Sequence, residues 1–122
     1  MDLLQQIVLF GILCFRREKY DEALDALSKA AKLDPQNAEV QNYLGMALSE
    51  KGLRGPAETA LRKAIELEPN NGSAHNNLAV IYLSQTPPLV ELARWHYQKA
   101  LAAKHPRNLD LEKMLDEKSK AK

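Results

Sequence analysis

Apolar residues recur at three- and four-residue intervals along almost the whole chain, from Leu3 to Leu115. This spacing places them on one face of a helix, and no stretch shows the sustained two-residue alternation of a half-buried strand. The pattern predicts an all-α protein. Seven helices are expected, over residues 3–16, 21–33, 38–50, 55–67, 72–84, 88–103 and 109–119.

Residues that favour helix ends agree with these boundaries. Asp21, Asn37 and Asn71 carry side-chain oxygens that can accept from the free N–H groups at a helix start. Pro56, and Pro87 or Pro88, fit a first helical turn, where the missing N–H has no partner to lose. The helices are therefore expected to be short and separated by tight turns.

The apolar pattern repeats with a period of 34 residues. In the first copy the recurring residues are Gly11, Ala23, Leu27, Ala30, Leu33 and Pro35. In the second copy they are Gly45, Ala57, Leu61, Ala64, Leu67 and Pro69. A third copy is two residues longer at the turn Ser84–Pro88 and ends near Pro106. A period of this length predicts one helix pair per copy, stacked on the next.

Small residues occupy matching positions on both helices of each pair. They let two helix axes approach closely, and large residues beside them fill the space that remains. The small residues are Gly11, Gly45 and Ala79 with Ala23, Ala57 and Ala93, and the large ones are Phe10, Leu44, Leu78, Leu27, Leu61 and Tyr97.

This spacing resembles that of the tetratricopeptide repeats, whose pattern is W-x2-L-G-x2-Y, then A-x3-F, then P within 34 residues. The three copies are residues 4–37, 38–71 and 72–106, followed by a capping helix at about 108–120. The resemblance implies a right-handed superhelical stack of antiparallel helix pairs, forming a single domain over residues 1–122. It also implies a protein-interaction module or scaffold.

In such a stack the first helix of each pair lines a concave groove, which the resemblance implies would bind a partner peptide or helix. The resemblance also implies that further polar side chains face it, namely Gln5, Arg16, Glu39, Ser49, Glu50, Ser73 and Ser84. The main groove candidates are Val8, Ile12, Phe15, Asn42, Tyr43, Met46, Asn76, Asn77, Val80 and Leu83. Their apolar members would supply affinity. Their asparagines would either orient the partner or merely solvate a helix face.

One class of ligand is not expected. The chaperone-binding members of the family hold a C-terminal carboxylate with lysine, arginine and asparagine side chains. The matching positions here are Val8, Ile12, Tyr43, Ser73 and Asn77, which include no cation. Burying a carboxylate without an opposing charge is costly.

The first helix is apolar on more faces than its partner helix requires. Leu9 and Leu13 lie where a preceding repeat would pack. Three explanations stay open: the chain comes from a longer array, two copies form a homodimer here, or a partner binds this surface. The alternative function is accordingly homo-oligomerisation or assembly through this helix.

Composition narrows the partner class. The 17 basic and 16 acidic residues give a net charge of +1, which offers no general attraction to nucleic acid or an anionic membrane. The apolar run Ile7–Phe15 is too short to span a bilayer and lacks the flanks of a signal peptide. The compartment stays undetermined, with the cytoplasm as the default.

No motif for catalysis, a metal or a cofactor is present in the sequence. Cys14 is the single cysteine, and the three histidines lack the spacing of a zinc site. No enzyme and no cofactor are expected, although a nucleophilic Cys14 is a minor alternative. His75 is predicted to be a packed residue. Trp95 is interpreted as packing on the nearby prolines, with a partner anchor as the alternative.

Overall fold

A computed structural model describes residues 1–120, and these contain seven α-helices and no strand. The helices are α1 (Leu3–Arg16), α2 (Tyr20–Leu33), α3 (Ala38–Glu50), α4 (Arg54–Leu67), α5 (Gly72–Ser84), α6 (Val90–Ala102) and α7 (Leu109–Lys120). The all-α prediction is confirmed, because a local helical period is enough to specify each element.

The asparagine caps are confirmed. The Asn37 side chain accepts from the Val40 N–H at 3.1 Å, and the Asn71 side chain accepts from the Ala74 N–H at 3.0 Å. These bonds satisfy N–H groups that lack an intrahelical partner. Helices α3 and α5 therefore begin where the sequence predicts.

Two other predictions about helix starts are wrong. Asp21 does not cap α2, which begins one residue earlier at Tyr20; its carboxylate instead pairs with Lys51 at 2.8 Å. Pro87 and Pro88 precede α6 rather than starting it. The turn that holds both prolines is closed by the Leu89 N–H, which donates to the Tyr82 carbonyl at 2.9 Å. Leu89 thus belongs to the turn, and the helix begins at Val90.

The helices belong to two compact units, unit 1 over Met1–Pro69 and unit 2 beginning at Asn70. Unit 1 contains α1 to α4. Its first core cluster joins α1, α2 and α3 through the buried residues Cys14, Ala23, Leu27 and Ala47. The small and large positions meet as predicted, since a Cβ added at Gly11 would lie 2.8 Å from Leu27 Cγ.

Phe10 does not fill the core of unit 1, contrary to the prediction from the repeat. Its side chain is 56% exposed, whereas Leu44, the matching residue of the second copy, packs against the first core cluster. The difference accords with the number of neighbouring helices, since α1 packs on α2 and α3, whereas α3 packs on α1, α2 and α4. Position in the repeat therefore does not determine burial in the first helix.

Unit 2 contains the pair α5 and α6, with α7 packed on both. The Asn108 side chain bonds two helices: its oxygen accepts from the Leu111 N–H at 3.0 Å and its Nδ2 donates to Asn76 Oδ1 at 3.3 Å. The Asn108 N–H also donates to the Tyr97 hydroxyl at 3.0 Å. Asn108 thus connects the start of α7 to both α5 and α6.

A charged network reinforces this attachment. Arg107 donates to both carboxylate oxygens of Glu112, from Nε at 3.0 Å and from Nη2 at 2.6 Å. The Tyr97 hydroxyl donates to the same carboxylate. These bonds lower the pKa of Glu112 from its ordinary 4.5 to about 2, and the hydrogen bond from Arg107 contributes most to the shift. The ionised form of Glu112 is therefore the one that holds α7.

Acidification is expected to weaken unit 2 through Glu112. Because the folded-state pKa is depressed, this stabilisation is present above about pH 4.5 and is lost as the pH falls towards 2. Urea denaturation followed by the fluorescence of Trp95, which lies in α6, measures the effect at each pH. The Glu112→Gln variant should lose stability less steeply over this window than the unsubstituted protein. Parallel losses in the two proteins would contradict the assignment.

Candidate functional site

An open cavity of about 510 Å³ lies in unit 1, between the N-terminal half of α1 and the connection from α2 to α3. We call it the α1 cavity. Its lining residues are Asp2, Leu4, Gln5, Val8, Leu9, Ile12, Asp34, Asn37 and Glu39. The lining thus combines an apolar surface on one helix with carboxylates at its edge.

The apolar surface of the cavity comes from the helical spacing of α1. Leu4, Val8 and Ile12 are four residues apart, so their side chains lie above one another on one face. All three are partly exposed rather than buried. The α1 cavity therefore offers a stripe of apolar side chains that is open to a ligand.

The start of α1 is held by a reciprocal capping box. The Asp2 carboxylate accepts from the Gln5 N–H at 2.8 Å, and the Asp2 N–H donates to the Gln5 side chain at 3.1 Å. Such a pair satisfies two otherwise unbonded N–H groups. It fixes the helix end that forms one side of the cavity.

The opposite side of the cavity is held by Asn37. Its oxygen caps α3 at Val40, and its Nδ2 donates to Asp34 Oδ2 at 3.3 Å. Glu39 lies two residues after Asn37, in the first turn of α3, and is exposed. We call Asp2, Asp34 and Glu39 the acidic rim. The lining includes no lysine or arginine.

The α1 cavity brings together four of the residues predicted to face the groove, namely Gln5, Val8, Ile12 and Glu39. Leu9, predicted for the N-terminal interface, also lines it and is 44% exposed. Leu13, the other predicted interface residue, is 46% exposed and is not part of the lining. The two sets of predicted residues are therefore adjacent on α1.

The remaining groove candidates of unit 1 lie outside the lining of the α1 cavity. Phe15 and Tyr43 pack edge to face at 5.9 Å between ring centroids, against the first core cluster. Met46 is partly exposed, whereas Asn42 is buried at 6% exposure. Asn42 therefore does not solvate an open helix face.

In unit 2 the predicted groove residues also divide into partly exposed and buried side chains. Asn77 and Val80 are partly exposed on α5. Leu83 is 1% exposed, so it is a core residue, and the prediction that it lines an open groove needs this correction. Asn76 is also buried, and its oxygen accepts from Asn108. Neither side chain is presented to a ligand.

The predicted histidine and tryptophan positions belong to one aromatic cluster in unit 2. His75 is 2% exposed, which confirms its prediction as a packed residue, and its Nδ1 lies 2.9 Å from His96 Nδ1. Trp95 is 50% exposed and packs edge-on against His96 at 4.9 Å between centroids. Lys99 Nζ lies 5.2 Å from the centre of the same indole. Trp95 thus has ring and cation contacts of its own within unit 2.

Sequence reasoning missed four residues of the cavity: Asp2, Leu4, Asp34 and Asn37. The spacing of Leu4 from Val8 was a usable signal, because residues four apart share a helix face. The two residues of the connection carry no such signal. Their place in the lining depends on how the connection packs beside α1.

Within residues 1–120, no helix is long and apolar enough to cross a membrane. The same residues include no group of three or more histidine, cysteine, aspartate or glutamate side chains arranged to hold a metal ion. No curated protein matches the sequence.

Solved structures resemble the chain over most of its length. A MamA variant is 31% identical with a TM-score of 0.74, and the match covers 84% of this chain and 74% of that one. The first TPR of Spaghetti (RPAP3), solved with the HSP90 peptide SRMEEVD, is 23% identical with a TM-score of 0.83 over 97% of this chain and 91% of that one. The TPR2B domain of yeast Sti1, in complex with pHsp70, is 18% identical with a TM-score of 0.83 over 98% of both chains.

Three family models match consecutive and overlapping parts of the sequence. The model described as TPR repeat matches residues 11–52, and two described as tetratricopeptide repeat match residues 38–71 and 60–95. Together they extend from residue 11 to residue 95, which is more than half of the chain. The chain therefore belongs to the tetratricopeptide repeat family.

Proposed function

We propose that the protein is an interaction module and that its α1 cavity binds a peptide segment of a partner protein. The observation that carries this proposal is the apolar stripe of Leu4, Val8 and Ile12 inside an open cavity. Apolar anchors flanked by a few fixed polar groups are the usual composition of a ligand site. The capping box and Asn37 hold both sides of the cavity before a ligand arrives, which lowers the entropic cost of binding.

Membership of the family supports the proposal, because repeat proteins of this type use extended concave surfaces for binding. RPAP3 and Sti1, whose fold this chain shares, were solved as complexes with an HSP90 peptide and with pHsp70. In unit 2 the partly exposed Asn77 and Val80 would form a further contact surface on α5.

A second candidate function is self-assembly through the outward face of α1. Phe10 and Leu13 are 56% and 46% exposed, and Leu9 lies at the border between this face and the α1 cavity. Large apolar side chains exposed together are typical of interaction surfaces. A homodimer would cover them.

Two adjacent substitutions on α1 separate these functions. Ile12→Glu should weaken peptide capture about tenfold, because it places a charge among the apolar anchors. Leu13→Glu is the matched control, since Leu13 lies outside the lining. The probe is a peptide selected from a random phage-displayed library and measured by fluorescence anisotropy, with far-UV circular dichroism to verify folding. Ile12→Ser serves as a milder variant.

The competing outcome is equally specific. If self-assembly is the function, Leu13→Glu lowers the mass measured by light scattering after size exclusion, while Ile12→Glu leaves that mass unchanged. If neither Ile12→Glu nor Ile12→Ser weakens peptide binding, the peptide-binding proposal is overturned.

A further inference from the structure

We infer that the peptide segment bound in the α1 cavity is basic, with a lysine or arginine next to its apolar anchor. This inference rests on the proposed function and specifies the chemistry of the partner. The α1 cavity supplies the apolar contact, and the charges around it decide which apolar segments are accepted.

All charged side chains in the lining are the carboxylates of the acidic rim. Among residues 1–120, the ion pairs that the structure shows involve other acidic residues, namely Asp21, Asp25, Glu58, Glu91, Glu112 and Asp116. Lys32, which is close to Asp34 in sequence, does not line the cavity. No lysine or arginine lines the cavity, so the side chains of the lining present only negative charge to a ligand.

Helix dipoles offset only part of this charge. Asp2 caps α1 and Glu39 lies in the first turn of α3, so each is next to a helix N-terminus worth roughly half a positive charge. Asp34 follows the C-terminus of α2, where the dipole is negative. Three carboxylates and the half negative charge at the end of α2, against two half positive charges, leave about two and a half negative charges from these groups.

The local charge is opposite in sign to that of the chain as a whole, which is +1. A basic segment is therefore attracted to this cavity specifically rather than to the protein in general. Arginine suits the rim well, because its planar guanidinium donates two parallel hydrogen bonds to a carboxylate. The SRMEEVD peptide of the RPAP3 complex has one arginine beside its methionine, but its two glutamates and terminal aspartate make its net side-chain charge −2. A peptide of that charge would be repelled here.

The test uses three fluorescent peptides that share the apolar residues of one selected peptide. They carry lysine or arginine, glutamine, or glutamate beside the anchor. The basic peptide should bind about threefold to tenfold more tightly than the neutral one, and the acidic peptide most weakly. The difference should shrink as salt is added, because exposed charges are screened.

Two charge reversals locate the effect. Glu39→Lys should weaken binding of the basic peptide about threefold to tenfold. Glu22→Lys is the matched control, since Glu22 is also exposed in the first turn of a helix of unit 1 and changes the net charge equally. It lies outside the cavity and should have little effect.

The possible failures are distinguishable. If the neutral or acidic peptide binds as tightly as the basic one while Ile12→Glu still weakens binding about tenfold, the charge inference is overturned and the proposed function stands. Equal effects of Glu22→Lys and Glu39→Lys would also overturn it, because net charge would then explain the preference. If the library yields no peptide that depends on Ile12, the inference and the proposed function are both overturned.

Discussion

Replacing Leu61 by alanine is expected to destabilise unit 1 by about 2–5 kcal/mol. Leu61 is fully buried on α4, with its Cγ beside Gly45 of α3. Truncation removes the transfer energy of the lost atoms and leaves a cavity. Since Gly45 has no side chain that can move into the space, little collapse can relieve that cavity.

The measurement is urea denaturation followed by far-UV circular dichroism. Trp95 is the single tryptophan and lies in unit 2, so its fluorescence separates changes there from changes in unit 1. Leu33→Ala is the matched control, because Leu33 is in the same unit and 60% exposed. If Leu61→Ala lowers the free energy of unfolding no more than Leu33→Ala does, Leu61 does not fill the core of unit 1.

Much of this fold was predictable because its information is local and repeated. The helical period specifies each helix, and the recurrence of Gly11 and Leu27 as Gly45 and Leu61 predicts two contacts of the same kind. The structure shows both contacts. A pattern written twice in the sequence is evidence for a packing rule rather than for a single coincidence.

The same pattern fails where the surroundings of equivalent residues differ. Phe10 and Leu44 are equivalent in sequence, yet Phe10 is exposed, and its helix α1 packs on two other helices whereas α3 packs on three. Asn76 looks like a groove residue but accepts a hydrogen bond from Asn108, at the start of a helix outside the repeat. A repeat period predicts the contacts that all copies have in common. The burial of Phe10 and Asn76 depends instead on neighbours that differ from one copy to the next.

The candidate site was predictable to a lesser extent. Val8 and Ile12 follow from the groove that the family resemblance implies, and both line the α1 cavity. Asp34 and Asn37 belong to the connection between α2 and α3, whose approach to α1 has no periodic signature. The sequence thus indicated that the positions matching the carboxylate-binding clamp hold no cation, while the acidic rim became visible only in the structure.

Replacing Gly45 by leucine is expected to destabilise unit 1 by about 3 kcal/mol. A Cβ at this position would lie 2.6 Å from Leu61 Cγ and 3.2 Å from the Ala57 carbonyl oxygen. Leu61 is fully buried and has no free space to enter, so the helices must separate. Gly45 is not among the residues with positive φ. Close approach, and not backbone conformation, is therefore what requires glycine here.

Gly55 provides the control for this substitution. It is also helical, in the first turn of α4, but no atom outside its chain neighbours and its own helix backbone lies within 4 Å of a Cβ added there. The Pro56 ring disfavours a Cβ on the preceding helical residue, which offsets the gain in helix propensity, so Gly55→Ala should change the stability of unit 1 much less than Gly45→Leu. Far-UV circular dichroism in urea measures both variants.

A double-mutant cycle with Leu61→Ala identifies the obstacle. If the leucine at position 45 collides with Leu61, removing the Leu61 side chain makes room for it. The double variant should then lose less stability than the sum of the two single losses, by at least about 1 kcal/mol. Fully additive costs would mean that Leu61 is not the group that excludes a side chain at Gly45. The close contact between α3 and α4 would then not explain why small residues recur in this chain.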